Sequence, residues 1–421
     1  MEHQDKLSLE VEPLRPVSRW HMIKLGIGLI PHGHFEYISD RFISPLAREL
    51  VSNASQVGYI QALNPMFGFL VQPVIGWLGD HTWTRIGRRK PYLLFAVPWI
   101  LVALIAMPLT HTLWPFLLAV VIYQFFVDMF AVSCSTMMPE TVPLEQRSRQ
   151  ASVSAFIGSL LAILAIMFVA PLYDREPLYP FAFAAAITAL STATLVFGIK
   201  EHYLGPKKRP ALYLAPIHVV KAALGNRNLR KMFFIVLFGS YGQNSIGLFL
   251  ILFMSRTLGA TVGKSVFTTF VVPAVGAVLA LPFGFLADRY SKKNMVLFAH
   301  LMAVVATVIG FAADSLRQMY VHFFFSAVAV TANAVSFYPL MTQFMPRDRI
   351  GTISGAVPIF FGGARFLVAL TAGHIIDAFG ENYRVIWPIA LACFIVNIAL
   401  VLTIDTSRSV NQQEEASKKP L

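Results

Sequence analysis

An apolar run ending in the loop GWLGDHTWTRIGRRKP (Gly76 to Pro91) is matched later by another apolar run ending in GFLADRYSKK (Gly284 to Lys293). The two loop acids, Asp80 and Asp288, stand 208 residues apart in a chain of 421. A sequence that repeats one apolar helix and one charged loop at half its length is expected to fold as two copies of one bundle. A second pair of loops agrees: PLEQRSR begins at Pro143 and PRDRIG at Pro346.

The apolar runs are of membrane length. Hydrophobic residues make up 56% of the chain and charged ones 13%, against about 25% in a soluble domain. A spanning helix needs about 20 mostly apolar residues, and twelve segments qualify between residues 22 and 405. None alternates with a period of two, so helices rather than barrel strands are expected to do the spanning. The predicted fold is therefore all-α: a polar tail at 1–21, a six-helix bundle at 22–200, a linker at 201–229, a second six-helix bundle at 230–405 and a tail at 406–421. The linker carries prolines, a KKR cluster and a short amphipathic stretch from Leu212 to Leu224, suited to the membrane surface.

The net charge of +12 follows topology. With the N-terminus inside, the five internal loops hold nineteen Lys or Arg and the external loops with their borders six, so both termini are expected in the cytoplasm of a cell (inner) membrane. Nucleic acid is excluded as a partner, and the bilayer takes its place. The two cysteines, Cys134 and Cys393, fall inside predicted spans, which leaves no disulfide or metal framework. No phosphate-binding glycine loop and no nucleophile–base pair suggests an enzyme, and no cofactor is expected.

The acid and basic cluster of the repeated loop can bind a neighbouring helix terminus and hold one face closed until the halves rock. On this reading Asp80 with Arg85, Arg88 and Arg89, and Asp288 with Arg289, form gating latches. The loop also anchors headgroups on its plainer reading. LVQPVIGWLGDHTWTRIGRRKPY, with six residues between Asp80 and Gly87, joins Asn64-Pro65-Met66-Phe67-Gly68 and Met138-Pro139-Glu140-Thr141-Val142-Pro143 as the specific motifs. By these the chain resembles the major facilitator superfamily over nearly its whole length, and more narrowly the plant sucrose–proton symporters and the glycoside, pentoside and hexuronide cation symporters. The resemblance implies a major facilitator fold and secondary active transport of a sugar or glycoside.

Ionisable groups inside the membrane are costly, about 2.5 to 3.5 kcal/mol each on insertion scales, so each should face a cavity or a partner. Asp128 lies ten residues from the inner end of the fourth span, about 15 Å deep at 1.5 Å per residue. A carboxyl group there can load and unload a proton, and the resemblance implies the same, because both related groups carry a coupling or sugar-binding aspartate in this helix. A static salt bridge is the alternative. On the first span His32, Glu36 and Asp40 share one face at i, i+4 spacing, and Glu36 joins Asp128 as a proton-coupling candidate. That face lacks the further ligands of a metal site.

Arg365 on the eleventh span either neutralises an acid or binds substrate. The stretch GSYGQNSIG on the seventh span offers Tyr241, Gln243 and Asn244; the fourth span adds Tyr123 and Gln124, and the tenth Asn333 and Tyr338. Such side chains donate and accept hydrogen bonds, as sugar recognition requires, although small and polar residues also pack helices in membranes. Asn64 stands where the cation symporters carry an aspartate, which points away from sodium and toward protons. The expected function is proton-coupled symport of a small sugar or glycoside by a monomer. Alternatives are proton-driven export of an organic acid or amphipathic compound, and a non-transport assembly or pigment-handling role on the same scaffold.

Overall fold

The computed structural model describes residues 16–31, 39–82, 84–201, 224–289, 291–345, 353 and 356–406. Glu36 and His32, and the side chains of Asp40, Asp80 and Asp288, lie outside what is described. The described residues are almost entirely helical. In order they form α1 (Arg19–Gly28), α2 (Ser44–Leu50), α3 (Ala54–His81), α4 (Lys90–Leu109), α5 (Leu113–Thr141), α6 (Leu144–Leu164), α7 (Leu178–Gly198), α8 (Arg227–Leu252), α9 (Val262–Thr268), α10 (Val271–Arg289), α11 (Lys292–Ala312), α12 (Leu316–Thr342), α13 (Val357–Ala378) and α14 (Ile386–Leu402).

Helix follows from apolar composition in a medium that offers the backbone no other hydrogen-bond partner. Ten of the helical segments are long and apolar enough to cross a membrane, among the described residues. The remaining two expected spans hold α1 with α2, and α3. Large apolar side chains such as Trp114, Phe156, Phe197 and Phe285 are exposed, as expected of a surface wetted by lipid. Local signals set the ends: Asn226 Oδ1 caps α8 by accepting from the Asn228 backbone N–H (2.8 Å), and Ser18 caps α1. The glycine-rich seventh span is continuous helix through Gly239 and Gly247.

The chain divides into two compact units. One comprises Met1–Ser39, Met66–Ala165 and Glu176–Leu212; in it α4 packs on α5 and α7, and α1 packs on α6 and α7. The other comprises Asp40–Pro65, Ile166–Arg175 and Tyr213–Leu421. There α11 packs on α12 and α14, α8 on α13 and α14, and α10 on α12. An apolar cluster around Met232, Phe233, Met341 and Phe344 forms part of its core. This second unit also takes in α2, the start of α3 and the 3-10 turn Ala170–Asp174, which packs on α9.

Candidate functional site

The second unit holds a cavity of about 440 Å3. Its walls are largely apolar, with Phe323, Phe337, Phe361 and Phe394, and its polar groups include those of Arg41, Gln243, His300, His322, Ser326 and Asn333. That composition, apolar with a few convergent polar groups, is typical of a small-molecule site.

The two histidines are fixed in one tautomer by what they touch. A carbonyl only accepts, so the His322 Nδ1 that lies 2.8 Å from Ala306 O must carry hydrogen. Its Nε2 is then a bare acceptor, with Ser326 Oγ at 3.3 Å. His300 repeats the arrangement: Nδ1 donates to Val296 O (2.8 Å) and Nε2 accepts from Asn397 Nδ2 (3.0 Å), which also reaches Ile235 O. Beside these satisfied groups, Arg41 Nη1 and Asn333 Oδ1 are buried without a hydrogen bond. An unmet buried polar group costs about 1–3 kcal/mol, which a ligand in the cavity would relieve.

The first unit holds Asp128. It is 8% exposed on α5 and accepts from Gln72 Nε2 at 2.7 Å. Gly68, one turn earlier on α3, faces the same carboxylate, since a Cβ there would lie 3.5 Å from Asp128 Oδ1. Tyr123 and Gln124 are fully buried one turn away on α5.

The repeated loop has a clear physical role in this unit. Thr84 and Gly87 pair backbone to backbone, and Gly87 sits at φ +129, where a side chain is strained. A Cβ at Gly87 would come within 2.7 Å of the Glu201 carboxylate. That carboxylate accepts from the backbone N–H groups of Arg88 (2.6 Å), Arg89 (2.9 Å) and Lys90 (3.0 Å), which open α4. Arg88 Nε donates to Gly79 O, and Arg89 Nη2 pairs with Glu140 at 2.8 Å. Arg88 and Arg89 are thus buried and pair with Glu140, while Arg85 and Arg289 are exposed. Glu201 escaped the sequence reading. An acid closing the sixth span, beside a basic linker, is its only signal.

The expected substrate residues part company. Gln243 and Asn333 line the cavity. Tyr241 instead hydrogen-bonds Thr371 Oγ1 (2.6 Å), and Asn244 turns back to Ser240 O (2.8 Å). Tyr338 is 47% exposed, and Arg365, 5% exposed on α13, is not among the lining residues. Arg41, His300 and His322 had no sequence signal beyond being polar residues within apolar runs.

The family model described as MFS/sugar transport protein matches residues 25–348. The chain belongs to that family. It is thus a multi-pass membrane transporter of the major facilitator type rather than an enzyme. The human Membrane-associated transporter protein is 29% identical over 132 residues, covering 28% of this MFS chain and 24% of the human one. The mouse protein of the same name is 35% identical over 57 residues, 14% of this chain and 11% of its own. The chain therefore matches only about a quarter of the human relative's length, and less of the mouse one. Among solved structures, the nucleoside transporter NupG aligns with TM-score 0.71 at 12% identity, covering 91% of this chain and 99% of that one. A bacterial homolog of the human lysosomal transporter Spinster, inward-facing and occupied, gives 0.67 at 14%, covering 93% and 96%. An auto-inhibited POT family peptide transporter gives 0.67 at 13%, covering 95% and 97%. At such identities these likenesses establish the major facilitator fold alone.

Proposed function

We propose that this transporter carries a sugar or glycoside together with protons by alternating access, as a monomer in a cell membrane with both termini cytoplasmic. The observation that carries the substrate is the cavity's mixed polarity. It offers an unmet donor (Arg41 Nη1), an unmet acceptor (Asn333 Oδ1) and the His322 Nε2 acceptor, which Ser326 Oγ approaches at 3.3 Å, between aromatic walls. Hydroxyl groups both donate and accept, so a polyhydroxylated ligand meets all three at once. Gln243 adds a further amide. Tyr123, Gln124, Tyr241, Asn244, Tyr338 and Arg365 would then shape the path or respond to rearrangement.

Asp128 is the proposed proton carrier, with Glu36 as its partner in coupling. Asp128 is nearly buried, and the Gln72 amide that donates to it at 2.7 Å can keep that contact in either protonation state. The basic loops, with Asp80, Arg85, Arg88, Arg89, Asp288 and Arg289, are the proposed inner gate. Release of the Arg89–Glu140 pair is its first step.

A second reading is favoured by one observation: Arg41 lines the cavity and, among the described residues, no Asp or Glu does. An organic acid would satisfy that charge. Uptake of labelled mono- and disaccharides and of monocarboxylates into proteoliposomes, with and without an inward proton gradient, separates the two. Accumulation of a neutral sugar that collapses with the gradient supports symport. Movement of acids alone would replace it with the second reading.

A further inference from the structure

Two carboxylates of the second unit do the same thing at matching points of the sequence repeat. Asp377, in the last turn of α13, accepts through Oδ1 from the Ala54 backbone N–H (2.8 Å) and through Oδ2 from that of Ser55 (2.9 Å), the first residues of α3. Asp174, ending the turn that closes the fifth span, accepts through Oδ1 from the Gly263 N–H (2.7 Å), at the start of the eighth span, and pairs through Oδ2 with the Thr261 hydroxyl.

Asp174 and Asp377 are 203 residues apart, the same spacing that separates Pro143 from Pro346. Ser55 and Gly263 are 208 apart, the spacing of Asp80 and Asp288. The offset of five is the shortening of the first loop in the second repeat. Each acid is therefore the counterpart of the other, and each caps the counterpart helix of the opposite repeat. The fifth span reaches the eighth, and the eleventh reaches the second.

The supporting geometry is also doubled. One turn before Asp377, a Cβ at Gly373 would strike Ala54 O at 2.6 Å, so only glycine lets α13 approach α3 this closely. The counterpart of Gly373 by the same spacing is Ala170, whose carbonyl lies 2.9 Å from where a Cβ on Gly263 would stand. A carboxylate at the first N–H groups of a helix meets unsatisfied donors and the positive end of the dipole. Both caps lie at the ends of their spans away from the GWLGD-type loops, together with Arg48, which pairs with Glu381 and Tyr383.

We infer that Asp174 and Asp377 are matched positioning residues that hold the outer face shut, and that outward opening requires release of both caps. The inference rests on the alternating-access reading above.

Replacing Asp by Asn keeps size and one acceptor while removing the charge. In a background with Cys134→Ser and Cys393→Ser, a Ser240→Cys reporter in the cavity wall would be labelled from outside with a membrane-impermeant maleimide. Asp174→Asn and Asp377→Asn should each raise the labelling rate about three- to tenfold, and together by the product. Asp314→Asn, which breaks an exposed pair with Arg384, should leave it unchanged. Rates equal to the parent, or a response from only one of the two acids, would overturn the inference. If the Asn variants do not fold, the pair Asp174→Cys with Thr261→Cys replaces them: oxidation should arrest exchange and reductant restore it, and exchange indifferent to oxidation would refute the latch. Labelling needs no substrate, so faster labelling without any sugar movement would keep the latch and discard the sugar.

Discussion

Glu201→Gln tests how the repeated loop is built. The native carboxylate takes three backbone N–H groups, two at Oε2 from Arg88 and Arg89 and one at Oε1 from Lys90. Glutamine keeps one oxygen and sets an NH2 group against the remaining donor or donors. Hydrogen bonds to a charged acceptor contribute about 1.5–3 kcal/mol and neutral ones about 0.5–1.5, while an orphaned buried donor costs about 1–3. Losing about 1 kcal/mol on a retained bond and about 1–2 on an orphaned donor gives a destabilisation of about 2–3 kcal/mol. The helix dipole acts in the same direction, and Glu201's partial exposure reduces the total toward the lower value. The assay is thermal unfolding of purified protein in one detergent, with exposed Glu176→Gln as control. At 2–4 °C per kcal/mol for smaller domains and less for a chain this size, the expected loss is about 2–6 °C. Gly87→Ala should show a comparable fall, because its methyl would press on the same carboxylate at 2.7 Å from a backbone already at φ +129. If Glu201→Gln and Gly87→Ala both melt with the parent, the view that this carboxylate organises the loop is wrong.

Asp128→Asn is expected to abolish gradient-driven accumulation while sparing substrate exchange, and accumulation at the parental level would remove Asp128 from coupling. Gln243→Ala and Asn333→Ala should each raise the uptake KM about tenfold, equivalent to about 1.4 kcal/mol, with little change in maximal rate; an unchanged KM would place the substrate elsewhere. Arg41→Gln should weaken a carboxylate substrate far more than a neutral sugar, so comparing the two ligands in a thermal-shift titration tests the cavity's charge preference. Gly310→Ala should destabilise the second unit by about 1–3 kcal/mol, since the new methyl would lie 2.4 Å from the buried Trp387 ring; unchanged melting would mean that the ring has room to move.

Much of the architecture was legible because the bilayer leaves few choices. Twenty apolar residues without alternation become a helix, and the 208-residue echo of Asp80 in Asp288 announces two copies of one bundle. The site was only partly legible. Gln243 and Asn333 were found because amides inside apolar runs are conspicuous, and both line the cavity. Tyr241 and Asn244 sit in the same run, yet helical rotation turns one toward Thr371 and the other onto its own backbone.

By itself the sequence determined the helical spans and the duplication, because these depend on local polarity and chain distance. Tertiary structure decided which polar groups meet. Arg88 and Arg89 turn to Glu140 and Glu201 once α4, α5 and the end of α7 are packed. His322 becomes a bare acceptor only when Ala306 of the neighbouring helix takes its Nδ1 hydrogen. Asp174 and Asp377 become caps only when helices far apart in sequence come within 3 Å. Hydrogen bonds are short-ranged and directional, so partners more than a hundred residues apart cannot be assigned before the helices have packed.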